Sequence, residues 1–333
     1  MIELNAVEKS NRALIRYPQF NQLENLIRIA QEMSKAANEP QCIALEGQTG
    51  AGKTTLVQDY ARSIPRTETP SGSEVSVFYV ETPSPVTIKA MASGMLARLG
   101  DPLAYKGVTS ALSDRLAHFL VQCKVQLVIL DDFHHLIDTD RDRVLLTVSD
   151  WLKVLIKESQ VPFLVVGLEG KVERILQANA QLSRLFAYRE TLNPFAWDES
   201  NETTKQDFAS FIRMVEQSID VRLEDGLDRA ELLFRLYYAT DGVVANVMNL
   251  LRHAAYMASA KGQKTLDLTL LAEAFEIRLA KHLRSKVNPF ETKWGKRFIA
   301  PEDRLFNAHE GAGKRSRRRK ERLPTASEVL RTR

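Results

Sequence analysis

A glycine-rich run constrains the fold of this chain more than any other feature of its sequence. Residues 47–54 read GQTGAGKT, which fits the phosphate-binding pattern G-x-x-x-x-G-K-[ST]. The pattern also has the context it needs, because the apolar run CIAL precedes it and a helical pattern begins at Lys53. We therefore expect a phosphate-binding loop between a strand and a helix.

The residues of this loop predict a site for ATP and Mg²⁺. Its glycines let backbone N–H groups face the phosphates, and the following helix contributes its positive end. Lys53 is expected to reach the β- and γ-phosphates, and the Thr54 hydroxyl is expected to bind Mg²⁺. The predicted nucleotide-binding residues are consecutive: Gly47, Gln48, Thr49, Gly50, Ala51, Gly52, Lys53, Thr54 and Thr55. A second glycine-lysine run, at residues 311–314, has no strand before it and is interpreted as a chance match.

Two consecutive aspartates predict the other half of the nucleotide site. Asp131 and Asp132 follow the apolar run at residues 127–130. A carboxylate at the carboxyl end of a strand helps to hold Mg²⁺, and we assign this role to Asp131. Asp132 is the candidate for polarising the attacking water, but it is one methylene shorter than the usual glutamate, by roughly 1 Å, so slow hydrolysis is expected. The alternative for Asp132 is a solvent-facing acid that caps the next turn.

The remaining pattern predicts an α/β fold with a parallel sheet. Apolar, β-branched runs at residues 75–80, 127–130, 163–166 and 188–192 alternate with helical patterns. We expect four regions: an N-terminal helical segment (1–39), an α/β nucleotide-binding core (40–195), a small all-helical lid (196–285) and a basic, disordered C-terminal tail (286–333).

Composition excludes several classes of protein. Two cysteines cannot build a disulfide framework or a zinc cluster, and His134 and His135 are assigned to packing or to a subunit contact. No apolar run approaches the roughly 20 residues of a membrane span, so we expect a cytoplasmic protein without a membrane partner. The net charge of +4 is uneven, because residues 311–333 alone carry +7.

The chain resembles AAA+ proteins, and specifically the TniB/TnsC family of DNA-transposition ATPases. The resemblance rests on the P-loop, the Asp131-Asp132 strand, the strand that ends at Gly167, an arginine-bearing turn and a helical lid. Finer points are the runs RYP at residues 16–18 and LSRLF at residues 182–186. The resemblance implies an AAA+ P-loop core that binds ATP and Mg²⁺ and hydrolyses ATP.

The same resemblance implies that one subunit completes the site of the next. In AAA+ assemblies, an arginine ahead of the last strand reaches the γ-phosphate bound by the neighbouring subunit. Arg184 matches this position best and Arg189 second. The alternative for Arg184 is a surface ion pair, which would contribute little. Two departures, Leu168 after the fourth strand and Asn246 in the lid, stand where the family often has polar sensing residues.

The resemblance further implies a set of macromolecular partners. Relatives form rings or filaments on duplex DNA with ATP and recruit a DDE-type transposase and a TniQ-like targeting protein. Lys106 matches a lysine that touches the DNA backbone in relatives, with Thr109 and Arg115 as weaker neighbours; the alternative is a solvated loop lysine. Five tail residues are further candidates for phosphate contacts: Lys314, Arg315, Arg317, Arg318 and Arg319. The tail could instead dock to a protein partner or remain solvated.

Three other functions remain open from the sequence. A replication initiator or helicase loader would share the fold and the DNA partner, but it usually carries a separate DNA-binding domain. An ExeA-like ATPase would assemble proteins without DNA. Lys106 and the arginine-rich tail are evidence against this alternative. A metabolic kinase would need a small-substrate pocket, for which the sequence offers no candidate.

Overall fold

The structure is a computed structural model, and it describes residues 14–70, 72–82, 87–137, 142–224, 228–283 and 286–291. The described strands, in chain order, are β1 (Ile43–Glu46), β2 (Thr67–Thr69), β3 (Gly72–Glu74), β4 (Val77–Glu81), β5 (Leu127–Asp131), β6 (Phe163–Val166), β7 (Tyr188–Thr191), β8 (Arg222–Leu223) and β9 (Thr265–Leu266). The described helices are α1 (Pro18–Ala36), α2 (Lys53–Ser63), α3 (Ile88–Leu99), α4 (Thr109–Gln122), α5 (Asp142–Ser159), α6 (Lys171–Gln177), α7 (Ala180–Leu185), α8 (Glu202–Ser218), α9 (Arg229–Thr240), α10 (Val244–Ala260) and α11 (Leu268–Arg278).

A parallel sheet of five strands, in the order β4-β5-β6-β1-β7, confirms the predicted α/β class. Ala44 in the middle of β1 pairs with Val165 on one side and with Arg189 on the other. Because all five strands run the same way, their carboxyl ends meet at one edge of the sheet. The P-loop after β1 and the two aspartates of β5 therefore come together at this edge.

Alternate residues of the buried strands divide between two hydrophobic cores. Ile43 and Leu45 of β1 face the core that also holds α1, α2 and the helices after β7, whereas Ala44 faces the core formed with α3 to α7. Every residue of β5 is buried, as expected for a central strand covered on both faces. The first core runs without interruption from the sheet into the C-terminal helices.

The region after β7 is helical, as expected, except for one short strand pair. Helices α8 to α11 carry the buried side chains, and β8 pairs with β9 over two residues each. A two-residue pair is too short to give a period-two pattern in the sequence. A second strand pair that the sequence did not predict is the antiparallel hairpin of β2 and β3.

Helix α1 lies within the expected N-terminal helical segment and has Pro18 at its start. Phe20, Leu23 and Ile27 are buried along one of its faces, and Ile29 and Met33 are exposed on another. None of the described helices is both long and apolar enough to cross a membrane.

Candidate functional site: a nucleotide cavity under the lid

The loop after β1 has the backbone expected of a phosphate-binding loop. Gly52 is the residue before α2 and has φ +106°, a left-handed conformation that favours glycine. Lys53 is 8% exposed, and its Nζ donates hydrogen bonds to the main-chain oxygens of Gly47 (2.8 Å) and Gln48 (2.9 Å). Burial lowers the pKa of the Lys53 ammonium, while the carboxylates of Asp131 and Asp132 oppose this shift. An anion bound in the loop would offset the free-energy cost of burying this positive charge.

Asp131 is held rigidly behind the loop. Its side chain is nearly inaccessible, and Oδ2 accepts a hydrogen bond of 3.0 Å from the Tyr79 hydroxyl. Oδ1 accepts one of 2.9 Å from the Asp132 N–H. Burial raises the pKa of the Tyr79 phenol to about 12, so this phenol remains a hydrogen-bond donor at neutral pH. Gln58 from α2 in turn donates to the Tyr79 oxygen at 3.1 Å.

A cavity of about 510 Å³ opens in front of the loop. Its walls come from four places: the segment at residues 14–20, the P-loop and start of α2, the β5 and β6 ends, and helix α10. The lining residues are Leu14, Ile15, Tyr17, Phe20, Thr49, Gly50, Gly52, Lys53, Thr54, Thr55, Asp132, His134, Leu168, Val244, Ala245, Met248, Asn249 and Arg252. One half is apolar and aromatic, which suits a flat base, and the other half carries the groups that bind phosphate.

Helix α10 covers this cavity and contacts the P-loop directly. The Ala245 N–H donates to the Gly50 carbonyl at 3.0 Å. Four residues at helical spacing, Ala245, Met248, Asn249 and Arg252, line the cavity from this helix. Burial lowers the pKa of the Arg252 guanidinium. A bound anion would stabilise the positive charge of this side chain.

Of the two departures from the family pattern, only Leu168 lies at the cavity. Asn246 does not line the cavity, because its side chain donates to the Thr240 carbonyl at 3.1 Å. Leu168, the other departure, does line the cavity and is apolar. The lid therefore contributes a cation to the cavity, but from a position almost two helical turns beyond Asn246.

Asp132 and His134 form the wall of the cavity next to Leu168. Asp132 has φ +52°, and its Oδ1 lies 4.0 Å from Nδ1 of His134. Asp132, His134 and His135 could each offer a ligand atom within 4.8 Å of the others. The rings of His134 and His135 lie close together, with centroids 4.4 Å apart and planes tilted by 37°.

The two arginine candidates have different surroundings. The Arg189 guanidinium contacts the Glu173 carboxylate and donates to the Ser183 carbonyl at 3.0 Å. Arg184, in the last turn of α7, is exposed and has no ion pair or side-chain hydrogen bond to any described residue. Glu46, which the sequence analysis missed, organises this edge by accepting hydrogen bonds from the N–H groups of Gly170 (3.1 Å) and Glu173 (2.7 Å).

The loop that contains Lys106 is braced from within. Arg115 pairs with the buried Asp101 at 2.8 Å and donates to the carbonyls of Leu103 (2.6 Å) and Lys106 (3.3 Å). Lys106 itself is exposed, and its ammonium has no partner among the described residues. Thr109 is exposed at the first position of α4. The tail candidates Lys314, Arg315, Arg317, Arg318 and Arg319 lie outside the described residues.

Signals for two of the missed residues were present in the sequence. Ala245, Met248, Asn249 and Arg252 are spaced i, i+3, i+4 and i+7, which places them on one helix face. Glu46 directly precedes the glycine-rich run, where a polar residue ends an otherwise apolar strand. Neither signal says which surface the residue faces, so the packing of the lid was needed to assign Arg252.

Comparison with known proteins agrees with this geometry. Residues 6–195 match the family described as Bacterial TniB protein. No curated protein matches the chain.

Among solved structures, the chain is similar in fold to Cdc6p from Pyrobaculum aerophilum, with TM-score 0.57 and 14% identity over 82% of this chain and 71% of that one. For the ORC2 protein of Aeropyrum pernix in its ADPNP-ADP complexes, the TM-score is 0.53 and the identity 16%, over 79% of this chain and 68% of that one. For the Aeropyrum pernix ORC1 protein in complex with DNA, the TM-score is 0.52 and the identity 15%, over 82% of this chain and 68% of that one. These are AAA+ structures, and the likeness establishes the fold. Because the family match spans more than half of the sequence, this chain belongs to the bacterial TniB family and has the AAA+ fold.

Proposed function

We propose that this protein is an ATP-dependent regulator of DNA transposition. It binds ATP with Mg²⁺, assembles on duplex DNA to mark a target site, and recruits a DDE-type transposase and a TniQ-like targeting protein. Slow ATP hydrolysis then disassembles it. The observation that carries the nucleotide part is the cavity in which Lys53, Thr54, Asp132 and Arg252 face one space, and membership of the TniB family carries the DNA part.

The donor groups of the cavity fit a nucleotide with Mg²⁺. The Thr54 hydroxyl is open to the cavity, and the buried Asp131 carboxylate lies behind Lys53. Hydroxyl and carboxylate oxygens are the ligands that Mg²⁺ accepts, with water and phosphate oxygens completing its shell. When bound, Mg²⁺ would neutralise negative charge that develops on the phosphates. Lys53 would exchange its two loop carbonyls for phosphate oxygens.

A neighbouring subunit completes this site. Arg184 is the better candidate for the arginine that reaches across, because it is exposed and makes no ion pair or side-chain hydrogen bond among the described residues. Arg189 is tied to Glu173 and Ser183 and serves the local structure of its own subunit. ATP binding thereby favours assembly, since the γ-phosphate joins two chains.

DNA is contacted by the core as well as by the tail. Lys106 projects from a loop that Arg115 and Asp101 hold in shape, so presenting the lysine requires little further ordering of the backbone. The surroundings of Arg115 favour this bracing role over a phosphate contact of its own. We retain the region boundaries 1–39, 40–195, 196–285 and 286–333 for the leading segment, the core, the lid and the basic tail.

Negative-stain microscopy and sedimentation test this function. The purified protein is mixed with duplex DNA in three states: without nucleotide, with ADP, and with a non-hydrolysable ATP analogue. We expect rings or filaments on DNA only with the ATP analogue. Assembly that is indifferent to DNA would contradict the transposition role and favour an ExeA-like protein-assembly ATPase. DNA binding without any self-assembly would favour an initiator or loader.

A further inference from the structure

A short segment that follows α11 in the chain is packed onto the lid. Residues 286–291 are the first six of the region assigned to the basic tail, and we call them the strap. Asn288 and Phe290 of the strap are 5% and 2% exposed. The Phe290 ring packs against Phe275 of α11 with ring centroids 6.4 Å apart, and both belong to the first hydrophobic core. The strap is therefore part of the packed lid.

Polar contacts join the strap to two helices of the lid. Arg235 of α9 is buried and donates to the Pro289 carbonyl at 2.8 Å. The Asn288 amide donates to the Ala272 carbonyl at 3.1 Å and to the Glu276 carboxylate at 3.0 Å, both on α11. Because a buried polar group is costly to leave without a partner, these contacts fix the strap on α9 and α11.

The first residue of the strap, Lys286, binds the carboxyl end of α9. Its side chain is 9% exposed, and its Nζ lies 2.7 Å from the Asp241 carboxylate. The same ammonium donates a hydrogen bond to the Tyr238 carbonyl and lies 5.3 Å from the centroid of the Tyr238 ring. The last carbonyls of a helix lack partners within the helix, and the helix dipole favours a cation there. Lys286 therefore stabilises the end of α9 and the residue that follows it.

The turn that Lys286 holds leads directly to the contact between lid and P-loop. Asp241 has φ +54° and Gly242 has φ +65°, so two consecutive left-handed residues set the direction in which the chain leaves α9. Ala245, four positions after Asp241, donates its N–H to the Gly50 carbonyl at 3.0 Å. One short turn thus carries the strap contact at its start and the P-loop contact at its end.

The direction of α10 after this turn decides which of its side chains reach the cavity. Met248, Asn249 and Arg252 line the cavity from this helix. Neither Lys286 nor Asp241 lines it. An effect of Lys286 on nucleotide binding would therefore have to pass through the position of α10.

We propose that Lys286 is a positioning residue of the nucleotide site, a role that rests on the nucleotide part of the proposed function. From outside the cavity, it holds the turn at residues 241–243 in the conformation that sets α10 over the P-loop. Without its contacts, α10 populates orientations in which the cavity is incomplete. The affinity for ATP then falls in proportion to the fraction of molecules that remain competent to bind.

Nucleotide titration of the full chain tests this role with a matched control. Lys286→Met keeps an unbranched apolar side chain and removes the ammonium. Lys264→Met is the control, because Lys264 also pairs with an aspartate of the lid, Asp220 at 2.6 Å, but both side chains are largely exposed. We expect the Kd for a fluorescent ATP analogue to rise about fivefold in Lys286→Met. The control should stay within about 1.5-fold of wild type.

A second aspartate variant tests whether Lys286 acts through the turn. Asp241→Asn removes the charge and keeps a residue that tolerates the left-handed backbone. If Lys286 and Asp241 act as one unit, the double variant with Lys286→Met should lose no more analogue affinity than Lys286→Met alone. Losses that add in the double variant would overturn the inference.

Hydrogen exchange of the nucleotide-free protein separates positioning from a general loosening of the lid. The amides at residues 243–248 should exchange at least about threefold faster in Lys286→Met than in wild type, because the start of α10 is less firmly held. The amides of α8, elsewhere in the lid, should exchange at the wild-type rate. Equal acceleration in α8, or analogue affinity of Lys286→Met within about twofold of wild type, would overturn the inference.

Failure of the proposed function would be visible separately. A wild-type protein that binds no ATP analogue would overturn the nucleotide part of the function and the role of Lys286 with it. The expected variant pattern together with assembly that is indifferent to DNA would overturn the DNA role and support the role of Lys286.

Discussion

The nucleotide cavity and the exposed cations outside it balance their charges in different ways. In the cavity, Lys53 is bonded to two loop carbonyls, and Asp131 accepts hydrogen bonds from Tyr79 and from the Asp132 N–H. Arg184 and Lys106, by contrast, are exposed and make no ion pair or side-chain hydrogen bond within the described residues. The chain itself supplies hydrogen-bond partners for Lys53 and Asp131. The two exposed cations are open to solvent and to a contact from another molecule.

The largest expected effect belongs to the cavity. Lys53→Ala should lower ATP affinity about 100-fold or more, because hydrogen bonds from a buried ammonium to phosphate are worth about 3 kcal/mol. Fluorescence titration with an ATP analogue measures the change. The control is Lys35→Ala, which removes an exposed lysine paired with Glu32 on α1. Affinity of the Lys53 variant within about threefold of wild type would show that the cavity does not bind phosphate through this residue.

The contact between lid and core can be broken at one glycine. Gly242 has φ +65°, and a β-carbon there would lie 2.1 Å from the Phe195 carbonyl oxygen. Gly262 has a similar φ of +71° but nothing within 4 Å. Both alanine substitutions should cost about 1 kcal/mol for the left-handed backbone, and Gly242→Ala should cost about 2 kcal/mol more for the clash. Denaturant unfolding of the two variants measures the difference, and equal losses would show that the clash relaxes freely.

Assembly measurements distinguish Arg184 from Arg189 as the arginine that contacts the neighbouring subunit. Arg184→Ala should leave the stability of the monomer and its ATP binding unchanged but raise the protein concentration needed for assembly on DNA at least tenfold, about 1.4 kcal/mol. Arg189→Ala should assemble normally and lose no more than about 1 kcal/mol of folding stability, since its pair with Glu173 is partly exposed. Sedimentation with DNA measures assembly. The opposite pattern would assign the contact between subunits to Arg189.

The smallest expected effect is at the loop lysine. Lys106→Ala should weaken DNA binding about three- to fivefold and reduce the slope of log affinity against log salt by about 0.9, the value for one phosphate contact. Binding is measured by fluorescence anisotropy across a salt series. Lys157→Ala, an exposed lysine on α5, serves as the control. An unchanged salt slope for the Lys106 variant would exclude a phosphate contact.

Local patterns were sufficient to predict the elements of the fold that are long and strongly patterned. The apolar β-branched runs predicted all five strands of the main sheet, and the glycine-rich run predicted the loop after β1. The β2–β3 hairpin and the β8–β9 pair were missed, because strands of two or three residues are too short to show hydrophobic periodicity.

In the candidate site, too, sequence patterns were sufficient for some residues and insufficient for others. Residues next to one another in sequence, such as Lys53 with Thr54 and Asp131 with Asp132, could be assigned from motifs. Arg252 could not, because it enters the cavity only when α10 packs over the P-loop through the Ala245 to Gly50 hydrogen bond. The bracing of the Lys106 loop by Arg115 and Asp101 likewise depends on how α4 packs.

A mixing experiment tests most directly the central claim that ATP bound by one subunit is completed by an arginine of the next. Lys53→Ala binds ATP only weakly but keeps Arg184, and Arg184→Ala binds ATP but lacks the arginine. We predict that neither variant hydrolyses ATP on duplex DNA alone, and that an equimolar mixture regains hydrolysis because one of its interfaces has both parts. A mixture as inactive as its components, or full activity of Arg184→Ala by itself, would contradict the account.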